Sequence, residues 1–202
     1  MSNTRIKICG LYREEDIEYV NHAMPDYAGF VFFEKSHRNV DPNKMVEFRR
    51  KLDPRIPAVG VFVDEPMEHI VELVNSMAID IIQLHGQEDE SYIRRLRGTL
   101  PEIEIWKAFK VRTEEDLKKA QDSSADEILL DNGYGTGECF DWKLLGEMRR
   151  GFILAGGINV HNVRDAIEKF QPQCIDVSSS VETDRKKDEA KIRAVSYTHL
   201  RA

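Results

Sequence analysis

The sequence is poor in cysteine and has no long apolar run. Its three cysteines, Cys9, Cys139 and Cys174, lie far apart and form no CxxC pair, which argues against a disulfide framework and against a zinc site. No apolar run approaches the length of a membrane span, and residues 1–10 contain no apolar signal region. These absences predict a cytoplasmic protein that does not enter a membrane.

The chain also carries fewer positive than negative charges. The 202 residues include 29 Lys and Arg against 36 Asp and Glu, so the net charge is −7. A surface of that sign repels the phosphates of nucleic acids and anionic lipids, and we expect neither as a partner. Hydrophobic residues make up 41% and charged residues 32% of the chain, which is typical of a folded domain that can still hold a local pocket for a small anion.

What the chain does contain is a regular alternation of two kinds of segment. Eight short runs of apolar and β-branched residues, typical of strands covered on both faces, lie at 5–10, 27–33, 57–63, 79–86, 104–111, 127–133, 152–158 and 174–180. Amphipathic stretches with helical spacing follow them at 14–24, 41–52, 66–77, 90–100, 113–123, 140–149, 160–170 and 188–195.

This alternation predicts a single α/β domain, a (β/α)8 TIM barrel, over residues 1–195. The alternative is an open, doubly wound sheet, which usually has fewer strands and a glycine-rich first turn. Here that turn reads CGLYRE, which favours the barrel. Residues 196–202 continue without a helix cap, and we expect them to be a disordered or non-native tail. A frayed end of a native helix is the alternative.

The active site of a (β/α)8 barrel lies at the carboxyl ends of its strands. In this sequence the polar and glycine residues at those ends are Cys9, the segment Lys35 to Arg38, Asp64, His85, Lys110, Asp131, Gly156 and Gly157, and Asp176 to Ser180.

Two of these places together predict a phosphate site. Loops after the seventh and eighth strands of such barrels often bind phosphate through backbone N–H groups and a helix N-terminus. Gly156 and Gly157 allow close approach because they carry no Cβ, and Ser179 and Ser180 add hydroxyl donors. A turn followed by a helix cap is the structural alternative, but the two motifs at consecutive strand ends favour phosphate.

Cys9 and Asp131 form a second candidate pair. They end the first and sixth strands, which are not neighbours, so the side chains should face one another across the barrel mouth. A thiolate and a carboxylic acid in that arrangement suit removal and delivery of a proton. The alternatives are a small buried hydrophobe for Cys9 and a loop cap for Asp131.

Arg38, His85 and Asp176 complete the candidate set. The guanidinium of Arg38 binds a carboxylate at two points, although an arginine in a loop such as EKSHRN is usually only solvated. For His85 we slightly favour a ring satisfied by backbone groups over a polar contact in the pocket. Asp176 is a further substrate-binding candidate. No cluster has metal-ligand spacing, so we expect no metal.

These residues lie in segments that resemble the phosphoribosylanthranilate isomerase family of tryptophan biosynthesis. The resemblance covers about residues 5–194 and is carried mainly by KICG at 7–10, QLHG at 83–86, GTGECFDW at 135–142, LAGGIN at 154–159 and DVSSSVE at 176–182. It implies an Amadori rearrangement of N-(5-phosphoribosyl)anthranilate to 1-(2-carboxyphenylamino)-1-deoxyribulose 5-phosphate.

The resemblance also assigns roles to the candidates. Cys9 matches the general base of the family and Asp131 its general acid. Arg38 matches the arginine that holds the anthranilate carboxylate, and Gly157 with the Ser179–Ser180 region matches the phosphate cradle. The imminium formed on ring opening is itself an electron sink, so we expect no cofactor. The expected partner is this small substrate, and the expected state a monomer or homodimer.

Two departures and one electrostatic requirement follow from the resemblance. Ser180 stands where the family commonly has glycine, and Arg185 stands where a small turn residue is expected. Before the reaction Cys9 must be a thiolate and Asp131 a carboxylic acid, and each of these is the less usual protonation state near neutral pH. We therefore expect nearby positive charge, from Lys7 or the bound imminium, to lower the pKa of Cys9, and apolar neighbours such as Leu129 and Leu130 to raise the pKa of Asp131. Cys9 should then set the acidic limb of the pH profile and Asp131 the basic limb.

Two other functions compete with this one. The first is another phosphosugar isomerase or epimerase, of the kind that relies on paired aspartates or a metal. The second is a non-catalytic sensor of a phosphate ligand. The pairing of Cys9 with Asp131 argues against both.

Overall fold

The computed structural model describes residues 4–131 and 148–199. Eight parallel strands form a closed barrel, in which each strand pairs with the next and the last pairs with the first. They are β1 (Arg5–Cys9), β2 (Tyr27–Phe32), β3 (Ala58–Phe62), β4 (Ile81–Leu84), β5 (Glu104–Lys110), β6 (Glu127–Asp131), β7 (Ile153–Leu154) and β8 (Cys174–Val177). The predicted (β/α)8 barrel is confirmed.

Helices follow the strands along the chain. Within the described residues they are α1 (Glu14–Ala23), α2 (Pro42–Lys51), α3 (Met67–Asn75), α4 (Glu90–Thr99), α5 (Glu114–Gln121), α6 (Val163–Phe170) and α7 (Glu189–His199). All seven overlap predicted amphipathic stretches, and α7 extends four residues beyond the end of its stretch at 195. Most of the remaining stretch, residues 140–147, lies outside the described residues, as do Cys139 and the motif at 135–142.

Local sequence accounts for several helix starts. Asp41 accepts a hydrogen bond from the backbone N–H of Asn43, at 2.9 Å, and Pro42 occupies the first turn of α2. Thr113 and Asp116 form a capping box, in which each side chain accepts the backbone N–H of the other. These contacts satisfy N–H groups that a helix cannot pair internally.

Both faces of the strands are buried, which explains their nearly continuous apolar sequence. In β6, Ile128 and Leu130 belong to the layer packed beneath the helices, whereas Leu129 between them belongs to an inner cluster. The rings of Tyr27 and Trp106 meet edge to face in that cluster, with centroids 5.0 Å apart. Tyr27 begins β2, so this packing fills the amino end of the barrel and leaves the opposite end for a site.

A short hairpin at the barrel mouth was not predicted. A 3-10 turn at Ser179–Val181 follows β8 and leads into β9 (Glu182–Thr183) and β10 (Lys186–Lys187), which pair antiparallel. Asp184 and Arg185 connect these strands with φ of 49° and 64°. This left-handed conformation explains why a small residue is expected at position 185, where this chain carries arginine.

No helix in the described part of the chain is both long and apolar enough to cross a membrane.

The end of α7 passes through the predicted domain boundary at residue 195. The helix continues to His199, whose Nε2 lies 3.1 Å from the backbone oxygen of Thr4. The Ser196 hydroxyl is buried, with no hydrogen-bond partner among the described residues. Residues 200–202 lie outside the described range. The assignment of residues 196–202 to a separate tail stays a prediction.

Deleting residues 196–202 tests this boundary. We expect the melting temperature to fall by less than about 4 °C, or about 1 kcal/mol for a domain of this size. The reason is that the contacts of His199 are offset in part by the unpaired hydroxyl of Ser196. A thermal unfolding scan makes the measurement, with a deletion of residues 200–202 as the control. A larger fall in the longer deletion alone would show that the helix end belongs to the domain.

Candidate active site

A cavity of about 310 Å³ opens at the carboxyl ends of the strands, within the size range of small-molecule sites. All the residues singled out from the sequence as site residues line it: Cys9, Arg38, Asp131, Gly156, Gly157, Asp176, Ser179 and Ser180. Lys35, Asp64 and Lys110, which also follow strands, are not among its lining residues. The sequence alone did not single out Gln83, which does line it.

Cys9 lies at the end of β1 beside Gly29 of β2. A Cβ built on Gly29 would lie 2.8 Å from the sulfur of Cys9 and 3.0 Å from Cε of Lys7, so glycine makes room for both side chains. Lys7 points to the same side of β1, two residues earlier, and is fully buried. Its Nζ lies 3.2 and 3.1 Å from the two carboxylate oxygens of Asp176.

Burial raises the pKa of the Cys9 thiol above its ordinary value. The positive charge of Lys7 acts in the opposite direction, as predicted, but Asp176 adds to the rise. The prediction that Lys7 brings this pKa below its ordinary value is therefore wrong. The physical reason is that the neighbouring cation does not compensate for the loss of hydration of a fully buried thiolate.

Asp131 ends β6 and faces His85. The Nε2 of His85 lies 3.5 Å from Oδ2 of Asp131, and its Nδ1 lies 3.0 Å from Nε2 of Gln83. The prediction of backbone partners for this ring is wrong, because its two nitrogens face the side chains of Gln83 and Asp131. With the Gln83 amide donating to Nδ1, the neutral ring carries its proton on Nε2, where it can donate to Asp131.

Gln83 could have been found from the sequence. It is a polar residue inside the apolar run IDIIQLHG and stands two positions before His85. Residues two apart on a strand share a face, so both side chains point into the barrel.

Arg38 reaches the cavity from the loop after β2. Its Nε and Nη2 donate to Oε1 and Oε2 of Glu182, at 2.7 and 2.8 Å, in a two-point ion pair. Among the described residues no hydrogen bond uses Nη1. A second carboxylate must therefore approach the edge formed by Nη1 and Nη2. Sequence reasoning missed Glu182, and the only signal for it was a charged residue at the end of DVSSSVE.

Gly156 and Gly157 have φ of 84° and 72°, in the left-handed region that glycine favours. The carbonyl of Gly157 accepts hydrogen bonds from the side chains of Asn159 and Asn162, at 3.0 and 2.9 Å, which ties this loop to the start of α6. The buried hydroxyl oxygen of Ser180, which lines the same cavity, has no hydrogen-bond partner among the described residues. An unpaired donor in one cavity with a glycine loop is suited to an anion.

The described residues contain no group of three or more His, Cys, Asp and Glu side chains able to hold a metal ion. The expectation that the reaction needs no metal stays a prediction.

Comparison with known proteins shows close relatives over nearly the whole chain. A family model described as N-(5'-phosphoribosyl)anthranilate (PRA) isomerase matches residues 6–197. The N-(5'-phosphoribosyl)anthranilate isomerase of Endomicrobium trichonymphae is 47% identical over 193 residues, covering 93% of this chain and 94% of that protein.

Two solved structures show the same likeness. Monomers of the dimeric phosphoribosylanthranilate isomerase of Thermotoga maritima match with a TM-score of 0.87 and 35% identity, over 98% of this chain and 100% of theirs. A phosphoribosyl anthranilate isomerase in complex with reduced 1-(o-carboxyphenylamino)-1-deoxyribulose 5-phosphate matches with a TM-score of 0.88 and 34% identity, again over 98% and 100%.

The electrostatics of the thiol can be tested by removing Lys7. In Lys7→Met we expect the pKa of Cys9 to rise further, because the opposing cation is lost and Asp176 is left unneutralised. The measurement is the ultraviolet absorbance of the thiolate against pH, with Cys9→Ser subtracted. Lys107→Met is the matched control, since Lys107 is also buried but pairs with Glu88 at 2.8 Å. An unchanged titration in Lys7→Met would show that this charge does not act on the thiol.

Proposed function

This chain belongs to the N-(5'-phosphoribosyl)anthranilate isomerase family, and we propose that it converts N-(5-phosphoribosyl)anthranilate to 1-(2-carboxyphenylamino)-1-deoxyribulose 5-phosphate. The observation that carries the proposal is that one cavity brings together a thiol, a carboxyl, an arginine and a glycine–serine anion cradle. The relative in complex with the reduced product supports the same substrate class. The chain is thus an isomerase of tryptophan biosynthesis.

The substrate is an anion at both ends, and the cavity offers a cationic or donor group for each. Arg38 suits the anthranilate carboxylate, and Gly156, Gly157 and Ser180 suit the phosphate. Cys9 and Asp131 line the same cavity, and we place the ribose between them. This arrangement holds the reacting carbons near both proton-transfer groups.

The first step is opening of the ribose ring. Asp131 as the carboxylic acid donates its proton to the ring oxygen, the bond from that oxygen to C1 breaks, and the amine lone pair forms the imminium. Asp131 becomes a carboxylate, which the Nε2–H of His85 stabilises across 3.5 Å.

The second step is proton removal from C2. The thiolate of Cys9 takes this proton, and the electrons of the C–H bond neutralise the imminium to give an enolamine. The enolamine then tautomerises to the ketone. The positive charge of the imminium adds to that of Lys7, and the two together favour the thiolate that burial disfavours.

The paired-aspartate alternative finds less support. Asp131 and Asp176 both line the cavity, but Asp176 is neutralised by the buried ion pair with Lys7.

The dimeric Thermotoga relative favours a homodimer as the oligomeric state of this chain. The scattered cysteines favour the cytoplasm as its location.

The raised pKa of Cys9 reverses the predicted assignment of the limbs of the pH profile. The reactive form holds Cys9 as thiolate and Asp131 as acid, so its fraction is the product of the two. When the thiol has the higher pKa, this product rises up to the pKa of the acid, stays level between the two values, and falls above the pKa of the thiol. The basic limb then belongs to Cys9 and lies above the ordinary pKa of a thiol, because burial raises the pKa of Cys9.

Loss of the fluorescent anthranilate adduct on adding purified protein tests the activity, and Cys9→Ala tests the base. We expect the wild type to be active and the variant to lose about 10²–10⁴ in kcat, which is the usual contribution of a positioned base. Binding of the reduced product should survive, because Cys9 removes a proton and holds neither anionic end. A variant that kept more than about a tenth of the rate would exclude Cys9 as the base.

Asp131→Asn tests the acid through the shape of the pH profile. We expect kcat/KM to fall by about 10²–10⁴, because the amide cannot deliver the proton. The residual rate should rise with pH until the thiol is ionised and should not fall beyond it, since only Cys9 still titrates. If the variant kept the wild-type rate and its basic fall, Asp131 would not be the acid, and Asp176 would be the next candidate.

A further inference from the structure

Behind Arg38 lies a buried charge cluster that the proposed chemistry does not use. Glu182 and Lys187 face each other across the β9–β10 hairpin, with Nζ of Lys187 2.7 Å from Oε1 of Glu182. Their side chains are 6% and 0% exposed. Removing two charged side chains from water is costly, so a buried pair of this kind needs an explanation.

Glu182 restrains Arg38 at its charged end. Its Oε1 accepts hydrogen bonds from Nε of Arg38 and from Nζ of Lys187. Its Oε2 accepts one from Nη2 of Arg38. Two parallel hydrogen bonds fix the plane of a guanidinium, which one point contact cannot do. The edge of the Arg38 guanidinium formed by Nη1 and Nη2 therefore points in a defined direction.

Gly10 restrains the same side chain at its stem. A Cβ built at position 10 would lie 2.5 Å from Cδ of Arg38, and the φ of Gly10 is 77°. The arginine passes over the backbone through a gap that only glycine leaves. With the stem packed against Gly10 and the head paired with Glu182, Arg38 has little rotamer freedom to lose on binding.

Lys187 also ties this cluster to the chain that follows β8. Its Nζ also donates to the carbonyl of Ser178, at 3.0 Å, immediately before the 3-10 turn that carries Ser180. Two cations and one carboxylate leave the cluster of Arg38, Glu182 and Lys187 with one excess positive charge. That charge suits a single carboxylate placed at the open edge of Arg38.

We propose that Glu182, held by the buried Lys187, is a positioning residue that aims Arg38 at the ortho-carboxylate of the substrate and thereby sets specificity for it. This inference rests on the proposed function. Glu182 acts only through Arg38, so its removal should affect a substrate that carries the carboxylate and spare one that lacks it.

The test compares two substrates, N-(5-phosphoribosyl)anthranilate and N-(5-phosphoribosyl)aniline, which lacks the carboxylate. In Glu182→Gln we expect the ratio of their kcat/KM values to fall by about tenfold or more, the cost of losing a hydrogen bond to a charged group. The loss should appear in KM for the anthranilate substrate, with kcat/KM for the aniline substrate unchanged. Because both rates come from one sample, the ratio does not depend on the fraction of protein that is folded.

Two further variants separate positioning from stability. In an Arg38→Met background, adding Glu182→Gln should cause no further change in the ratio, since the group that it positions is gone. Glu88→Gln is the matched control, because Glu88 is also buried and pairs with a buried lysine, Lys107, at 2.8 Å. We expect this control to leave the ratio at the wild-type value.

Each outcome supports or overturns the proposal. If the wild type is active and selective but Glu182→Gln has the same ratio of kcat/KM values for the two substrates, the inference is overturned. The proposed function then still stands. If Glu182→Gln lowers kcat/KM equally for both substrates, the role of Glu182 is purely structural. That result would also overturn the inference. An inactive wild type would overturn the proposed function and this inference with it.

Discussion

Pairing of β1 with β8 closes the barrel, and the site depends on that closure. The register opposes Lys7 to Asp176 and brings the segment that continues from β8 beside the end of β1. Parallel pairing throughout gathers all eight carboxyl ends at one mouth. The cavity combines residues from 9 to 180 for this reason, and no part of it is formed by one local segment.

Closure also forces charged side chains into the barrel. The outer layer and the amino end are filled by apolar and aromatic packing, but the buried Lys7 lies inside the barrel and Gln83 lines the cavity above it. Lys7 is paired with Asp176, as a buried charge must be. The same burial raises the pKa of Cys9.

Much of the fold was accessible from the sequence because local rules determine it. Strands buried on both faces must be apolar throughout, so the eight runs and their barrel could be predicted. The strand-end rule then selected Cys9, Asp131 and the Gly156–Gly157 pair without knowledge of any distance. By contrast, the hairpin at 182–187 has strands of two residues, too short to show any periodicity.

The sequence by itself determined the barrel, the strand ends and the residue types available for acid–base and anion chemistry, because periodicity and topology are local properties of the chain. Only the tertiary structure decided which partner each of those residues has. It paired Arg38 with Glu182, 144 positions away, turned the ring of His85 toward Asp131, and buried the thiol of Cys9 deeply enough to raise its pKa. Such contacts and the hydration that accompanies them depend on which distant segments meet, and no spacing along the chain encodes that.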